Sequence, residues 1–366
     1  MNHMDKSLKQ KATICAICHD QCVSACPIFE STRRMSAYPS RLAMLAIELD
    51  RGGINGANII QPLSDCIGCG ACLEGCIYLD HPNDICSVVR WARNNIKDSE
   101  KREIEPWYEK IKKNGSPFED TYKQLSVLNE NLDSAEKGDP ILVHLDASTL
   151  HYAPQMAIST LELLSKLGYK NIVLSKNPYL GRELREYGYQ DDFSKIARQL
   201  IDEVNLIGPK AIITSHPLSA YLFREVYPIE IGIDLQIPVY TLAEALYKNV
   251  GQFCSLRNSN LFLLQSNTES FRMGGGIGKQ FFESLGCKVY GLRTDNLIYR
   301  DMSYPDGEMI EIESGPYELV RERIFRAFSL SRADQIVTTS PEAFYWIQKD
   351  YPNLKITDIA TFLKNN

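Results

Sequence analysis

Eight of the chain's eleven cysteines fall in two short stretches, CAICHDQCVSACP beginning at Cys15 and CIGCGACLEGC beginning at Cys66. A cubane [4Fe–4S] cluster needs one thiolate on each of its four irons. Three cysteines on a tight loop reach three corners, but the same loop does not easily wrap to the fourth. In the bacterial spacing C-x2-C-x2-C-x3-C the last cysteine therefore serves the other cluster. Cys66, Cys69, Cys72 and Cys76 have that spacing, whereas Cys15, Cys18, Cys22 and Cys26 depart from it by one extra residue before the third. In each group the third and fourth cysteines are four apart, on one helix face and about a turn from each other. The expectation is two [4Fe–4S] clusters with crossed ligands: Cys15, Cys18, Cys22 and Cys76 for the first, and Cys66, Cys69, Cys72 and Cys26 for the second. Gly68, Gly70 and Ala71 keep bulk off the second loop and leave amides free to approach sulfur, which tunes cluster potential.

Other chemistry is weaker. Disulfides need an oxidising compartment that nothing in the sequence supports. Zinc on two Cys-x2-Cys pairs, such as Cys15/Cys18 with Cys66/Cys69, leaves four cysteines idle. His19 lies inside the first loop and reads as solvent-facing or as a neighbour of the ligands. Cys254 and Cys287 are isolated and read as inert buried thiols. The stretch FRMGGGIGKQFFESLG can cradle a phosphate at a helix start. It fits neither the P-loop nor the dinucleotide fingerprint, so a tight structural turn is the simpler reading. Arg33, Arg34 and Arg41 near the cysteine loops offer either a docking face for an acidic partner or an ordinary solvated surface. The nineteen tyrosines show no pattern.

The rest of the chain must hold these groups. Its 366 residues allow two or three domains, and 44% hydrophobic content is ordinary for a globular protein. No apolar run reaches membrane-span length and the N-terminus lacks a signal-type stretch, which points to the cytoplasm. The net charge of −6 and the lack of a basic block argue against nucleic acid. In residues 1–97, PSRLAMLAIELDRGG between the cysteine groups reads as a helix, opened by Pro39 and closed near Gly52. A polar connector, 98–139, is expected to form short surface helices with no core. From 140 onward, short apolar runs such as PILVHLD, NIVLS and KAIITS alternate with helical patterns, as in a parallel sheet covered by helices. Three segments recur in order. LSKLGYKNIVLS is echoed by FESLGCKVYGLR, PKAIITSHPLSAYLFREVYP by ADQIVTTSPEAFYWIQKDYP, and IPVYTLAEAL by LKITDIATFL. Two similar α/β lobes are expected, 140–257 and 258–366. The fold class is thus α+β multidomain, an all-helical dicluster domain followed by two duplicated lobes.

With these residues in view, the chain resembles the heterodisulfide reductase and glycolate oxidase type of iron–sulfur protein. The likeness runs through both cysteine groups, YPSRLAMLAIELDRGG, HPNDICSVVRWAR and the two lobes. It implies a dicluster ferredoxin domain with two cysteine-rich (CCG) lobes. It also implies electron transfer within an oxidoreductase complex whose other subunits bear flavin or substrate, with no membrane span, though room for peripheral association. The family's lobes carry adjacent cysteine pairs. Here His216 and Ser219 stand at that turn of the first lobe and Ser340 and Ala343 at that of the second, so disulfide-reducing chemistry is not expected. The family's proline after the last cysteine is replaced by Ile77, with Pro82 further on, which makes Cys86 a rival to Cys76; loop reach and spacing favour Cys76. Two other readings stay open: a catalytic subunit with its own flavin or substrate site between the lobes, and an adaptor whose centres only staple the fold.

Overall fold

The computed structural model describes residues 3–18, 21–74, 76, 85–102, 107–130, 132, 139–257, 259–291 and 314–366. Continuous apolar runs in the last two-thirds of the chain form short strands, which pair in parallel into two four-stranded sheets. The first holds β1 (Ile141–His144), β2 (Ile172–Leu174), β3 (Ala211–Thr214) and β4 (Val239–Thr241) in the order β2-β1-β3-β4. The second holds β5 (Asn260–Leu264), β6 (Lys288–Tyr290), β7 (Gln335–Thr338) and β8 (Ile356–Asp358) in the order β6-β5-β7-β8. Central strands such as β3, AIIT, are apolar on both faces because helices cover both. In each sheet the chain leaves the central strand to one side and later returns to the other, so the strand order reverses between β1 and β3 and between β5 and β7.

One core runs between the sheets. Val143 lies opposite Leu174 and Ile213, and Leu263 opposite Val337. These residues join Leu161, Leu164, Phe281, Phe282 and Phe362 in a single buried cluster. Helix Pro154–Lys166 packs on helix Ile359–Lys364, and Thr361 Oγ1 lies 3.0 Å from Ser159 Oγ. Local signals set the helix ends. Thr241 and Glu244 form a reciprocal capping box at the start of helix Leu242–Lys248, and Gly208, with φ of 60°, closes helix Gln190–Ile207.

The N-terminal region is helical. Helices Lys6–Ile17, Pro39–Asp50 and Ile85–Asn94 pack through Ala12, Leu42, Ala43, Ala46, Val88, Val89 and Ala92. Pro39 occupies the first turn of its helix, where its missing N–H costs nothing. Asp50, at the far end of that helix, accepts from Met4 N (2.9 Å) and Lys9 Nζ (2.8 Å) and ties down the start of the chain.

The connector differs from expectation. It does form helices, Asp98–Arg102, Trp107–Asn114 and Thr121–Glu130, but it is not coreless. Trp107, Tyr108, Ile111 and Phe118 are buried in the core of the first sheet. Tyr108 stacks on Tyr189 at 4.2 Å, and Trp107 meets Tyr187 edge-on at 5.2 Å. A few aromatic residues outweigh the polar composition because each buries so much apolar area.

Candidate functional site

The second cysteine group begins on a loop between helices Ile60–Ser64 and Ala71–Glu74, with Cys72 inside the second helix and Cys76 beyond it. Its carbonyls are claimed by side chains from distant parts of the chain. Arg93 donates to Leu63 O, to Cys66 O (2.6 Å) and to Glu186 O (2.6 Å). Arg182 donates to Ile67 O (3.1 Å), and Asn267 Nδ2 to Cys69 O (3.1 Å). The close fit explains two glycines. Gly68, with φ of +67°, would bring a Cβ within 2.6 Å of Glu186 Oε2, and Gly188, with φ of +79°, would bring one within 2.6 Å of the Arg93 backbone carbon. Glu186 anchors the frame. Burial alone would raise its pKa, but Arg90, Arg185, Arg182 and Arg272 together bring it down to about 2.

With its carbonyls occupied, the loop turns amides toward sulfur. Cys66 accepts from the Gly68 N–H and Cys69 from the Ala71 N–H, while Cys26 accepts from Phe29 and Ile28 at the start of helix Pro27–Thr32. Cys86, buried in the first turn of helix Ile85–Asn94, hydrogen-bonds both Cys66 and Cys72 and lies close to Cys69 and Cys26. Cys86 is thus the neighbour that these four thiols share. Cys66 and Cys72 are held well above the ordinary thiol pKa, first by hydrogen bonding to Cys86 and then by burial. Burial, followed by the neighbouring Cys86, pushes Cys69 up to about 12. Burial also raises Cys26.

The first group is laid out differently. Cys15 lies in the last turn of helix Lys6–Ile17, and Cys18 closes that helix with its N–H on Cys15 O at 3.2 Å. Cys22 sits in the short turn Gln21–Ala25, which packs against helix Ala71–Glu74, and the Cys76 N–H follows that helix with a bond to Leu73 O at 3.1 Å. All four are half-buried. Residues 19, 77 and 82 lie outside the described residues.

The metal-binding expectation is corrected on these observations. Among the described residues no group of three or more His, Cys, Asp or Glu side chains is placed to hold a metal ion. A ready-made ion site is therefore withdrawn.

The lobes hold a second polar group, at the carboxyl ends of β1, β3 and β7. His216 caps helix Pro217–Tyr221, accepting the Leu218 N–H at Nδ1 (3.0 Å), and its Nε2 lies 3.1 Å from Glu342 Oε2. Ser219 donates to Asp146 (3.2 Å) and Ser340 to Glu342 (2.9 Å). Every member is buried. Burial raises Asp146 to about 6 and lowers His144 to about 4. His216, Ser219, Ser340 and Ala343 thus stand inside a hydrogen-bonded core. Asp146 and Glu342 were not singled out from sequence; the only hint was an acid just beyond a strand end.

Gly274 and Gly275 take positive φ in a tight turn before helix Ile277–Ser284. Arg33 pairs with Glu30 and Arg34 with Asp65, and Arg41 donates to Met44 Sδ. Cys287 is buried as expected, whereas Cys254 is exposed, contrary to expectation.

No family model and no curated protein matches this chain. Among solved structures it is similar to an allantoin racemase from Klebsiella pneumoniae, with 12% identity over 62% of this chain and 87% of that one, at a TM-score of 0.27. Chains that far apart need share neither topology nor chemistry. No helix among the described residues is long and apolar enough to cross a membrane.

Proposed function

We propose that this chain is an electron-transfer subunit of a cytoplasmic oxidoreductase complex. In this reading it carries two [4Fe–4S] clusters, one on Cys66, Cys69 and Cys72 and the other on Cys15, Cys18, Cys22 and Cys76. The observation that carries the reading is the convergence of thiols at the 66–72 loop, whose carbonyls face arginines and whose amides face sulfur. When bound, such a cluster accepts and gives up single electrons. The chain's own part is to hold it. Arg93 and Arg182 fix the loop and bring positive charge to a place where thiolates must replace thiols. The Gly68 and Ala71 amides stabilise charge on sulfur, and Ile67 with Ile28 closes one side to water.

The finer fold reading belongs with this proposal. Residues 1–97 are read as a helical dicluster domain. The matching strand orders of the two sheets support an internal duplication of lobes 140–257 and 258–366. The polar core at His216 and Glu342 fills the turns where the related lobes carry cysteines, which supports a relay rather than thiol chemistry in the lobes. The partner is a flavin- or substrate-bearing subunit. Nucleic acid does not fit a chain of net charge −6.

Anaerobic purification of the native complex, with iron and sulfide counted, tests the reading; about eight of each per chain are expected. Cys69→Ala should remove one cluster's electron paramagnetic resonance signal and partner reduction together. Zinc in place of iron, or electron delivery that survives the loss of that signal, would overturn it.

A further inference from the structure

Arg33, Arg34 and Arg41 read from sequence as either a docking face or an ordinary solvated surface. The structure joins them to Met35 and Met44 in one patch. Resting on the electron-transfer reading above, we infer that this patch is the docking face. Its occupant is an acidic surface on the protein that exchanges electrons with this chain.

Charge, exposure and backbone geometry carry this together. Residues 27–47 hold three arginines, one glutamate and neither lysine nor aspartate, in a chain of net charge −6. All three arginines are exposed, as are Met35 (59%) and Met44 (39%). The turn Met35–Ala37 packs on helix Pro39–Asp50, and Arg41 Nη1 lies 2.9 Å from Met44 Sδ, so charged and apolar surface are contiguous. Arginine and methionine are enriched where proteins meet, whereas lysine and the acids are depleted. The one glutamate, Glu30, is held between Arg33 (3.0 Å) and Arg323 (2.9 Å), so the patch stays positive.

Arg33 adds an independent sign. It closes helix Pro27–Thr32 with φ of 54°, in the left-handed region, and no other non-glycine residue among the described residues has positive φ. Glycine is the usual residue at such a helix end. A guanidinium is thus held at the surface against the preference of its backbone, which points to use. The patch also lies beside the cysteine groups. Helix Pro27–Thr32 starts directly after Cys26, and Arg34 Nη2 is 3.0 Å from Oδ1 of Asp65, the residue before Cys66. Nucleic acid is repelled by the acidic remainder of the chain, and an anionic membrane calls for a larger basic cluster than three arginines. A local acidic face on a protein fits both the size and the sign.

The test starts in the native complex, with Met35→p-benzoylphenylalanine irradiated and the joined peptide sequenced. Leu206→p-benzoylphenylalanine, at an exposed residue of helix Gln190–Ile207, is the control. Position 35 is expected to join a partner segment rich in aspartate and glutamate, and position 206 is expected not to. The purified partner is then titrated with the full chain as wild type, Arg33→Gly and Arg33→Glu/Arg41→Glu. Arg33→Gly relieves the backbone while removing one charge, so it should melt no lower than wild type yet bind about three- to ten-fold more weakly. The double reversal should weaken binding about 100-fold at low salt, and both differences should shrink at raised salt as the exposed charges are screened. Should the double reversal fail to fold, Arg33→Gly alone decides. A cross-link from position 35 to a second copy of this chain, to lipid or to nucleic acid, or none at all, overturns the inference, as do equal affinities across the variants. Equal affinities with iron present leave the cluster reading standing, whereas an iron-free wild type that still binds through the patch defeats that reading alone.

Discussion

Nε2 of His216, just beyond β3, lies 3.1 Å from Oε2 of Glu342, just beyond β7, and both side chains are wholly buried. One hydrogen bond thus joins the two sheets at the ends where parallel sheets usually open a crevice. Each partner is also fixed within its own half, His216 by the Leu218 amide and Glu342 by Ser340. Burial alone would raise the Glu342 pKa, but the pairing with His216 and the surrounding hydrogen bonds bring it below the ordinary carboxylate range.

The two partners should therefore be energetically coupled, so that removing one already loses much of what removing both would lose. His216→Ala takes from the buried Glu342 carboxylate its charged partner and leaves it only neutral donors, and a loss of about 3–5 kcal/mol is expected in urea denaturation. The double replacement His216→Leu/Glu342→Leu should cost clearly less than the sum of the two single changes. Additive losses would show that the bond contributes nothing to holding the sheets together.

Asp146 gives a pH test with a definite sign. Its folded pKa is about 6, above the 3.8 of an ordinary aspartate, because burial penalises its charge. The folded state therefore holds a proton that the unfolded state has already lost. Stability is unaffected below pH 3.8, falls as pH rises toward 6, and stays reduced above it by about 3 kcal/mol at most. Asp146→Asn keeps an acceptor for the Ser148 amide at the helix start but cannot ionise. Relative to wild type, its denaturation midpoint should rise between pH 4 and pH 7. Parallel profiles across that range would show that Asp146 carries no such penalty.

What was legible in the sequence was local. The cysteine spacing, the helix opened by Pro39 and the alternation of short strands with helices all lie within windows of a few residues, where periodicity and turn chemistry speak directly. The frame around the second loop was not legible. Its parts, Arg93, Arg182, Glu186 and Asn267, come from separate elements and leave no periodic mark. His216 stood out, but its partner lies 126 residues away. The connector was misjudged because its polar average hid Trp107 and Tyr108, whose burial depends on Tyr187 and Tyr189 far along the chain. Cys86 was weighed only by its distance along the chain, which says nothing of its depth in the helical core.

Arg93 lets the frame be tested apart from any bound group. Its guanidinium reaches three carbonyls, those of Leu63, Cys66 and Glu186, and lies 4.1 Å over the ring of Tyr187. Leu63 is the next-to-last residue of helix Ile60–Ser64, so Arg93 also supplies part of the cap which that helix end needs. Lysine keeps the charge but not the planar fork, and from the same position it cannot serve all three acceptors. Arg93→Lys should leave at least one buried carbonyl unsatisfied, at a cost of about 1–3 kcal/mol. The loss should be local before it is global. Amide hydrogen exchange at 66–72 should accelerate about ten-fold or more, as that cost implies, while the core strands β1 and β3 exchange as before. If the loop amides keep their wild-type rates, its shape is set by the loop's own glycines rather than by the arginine behind it.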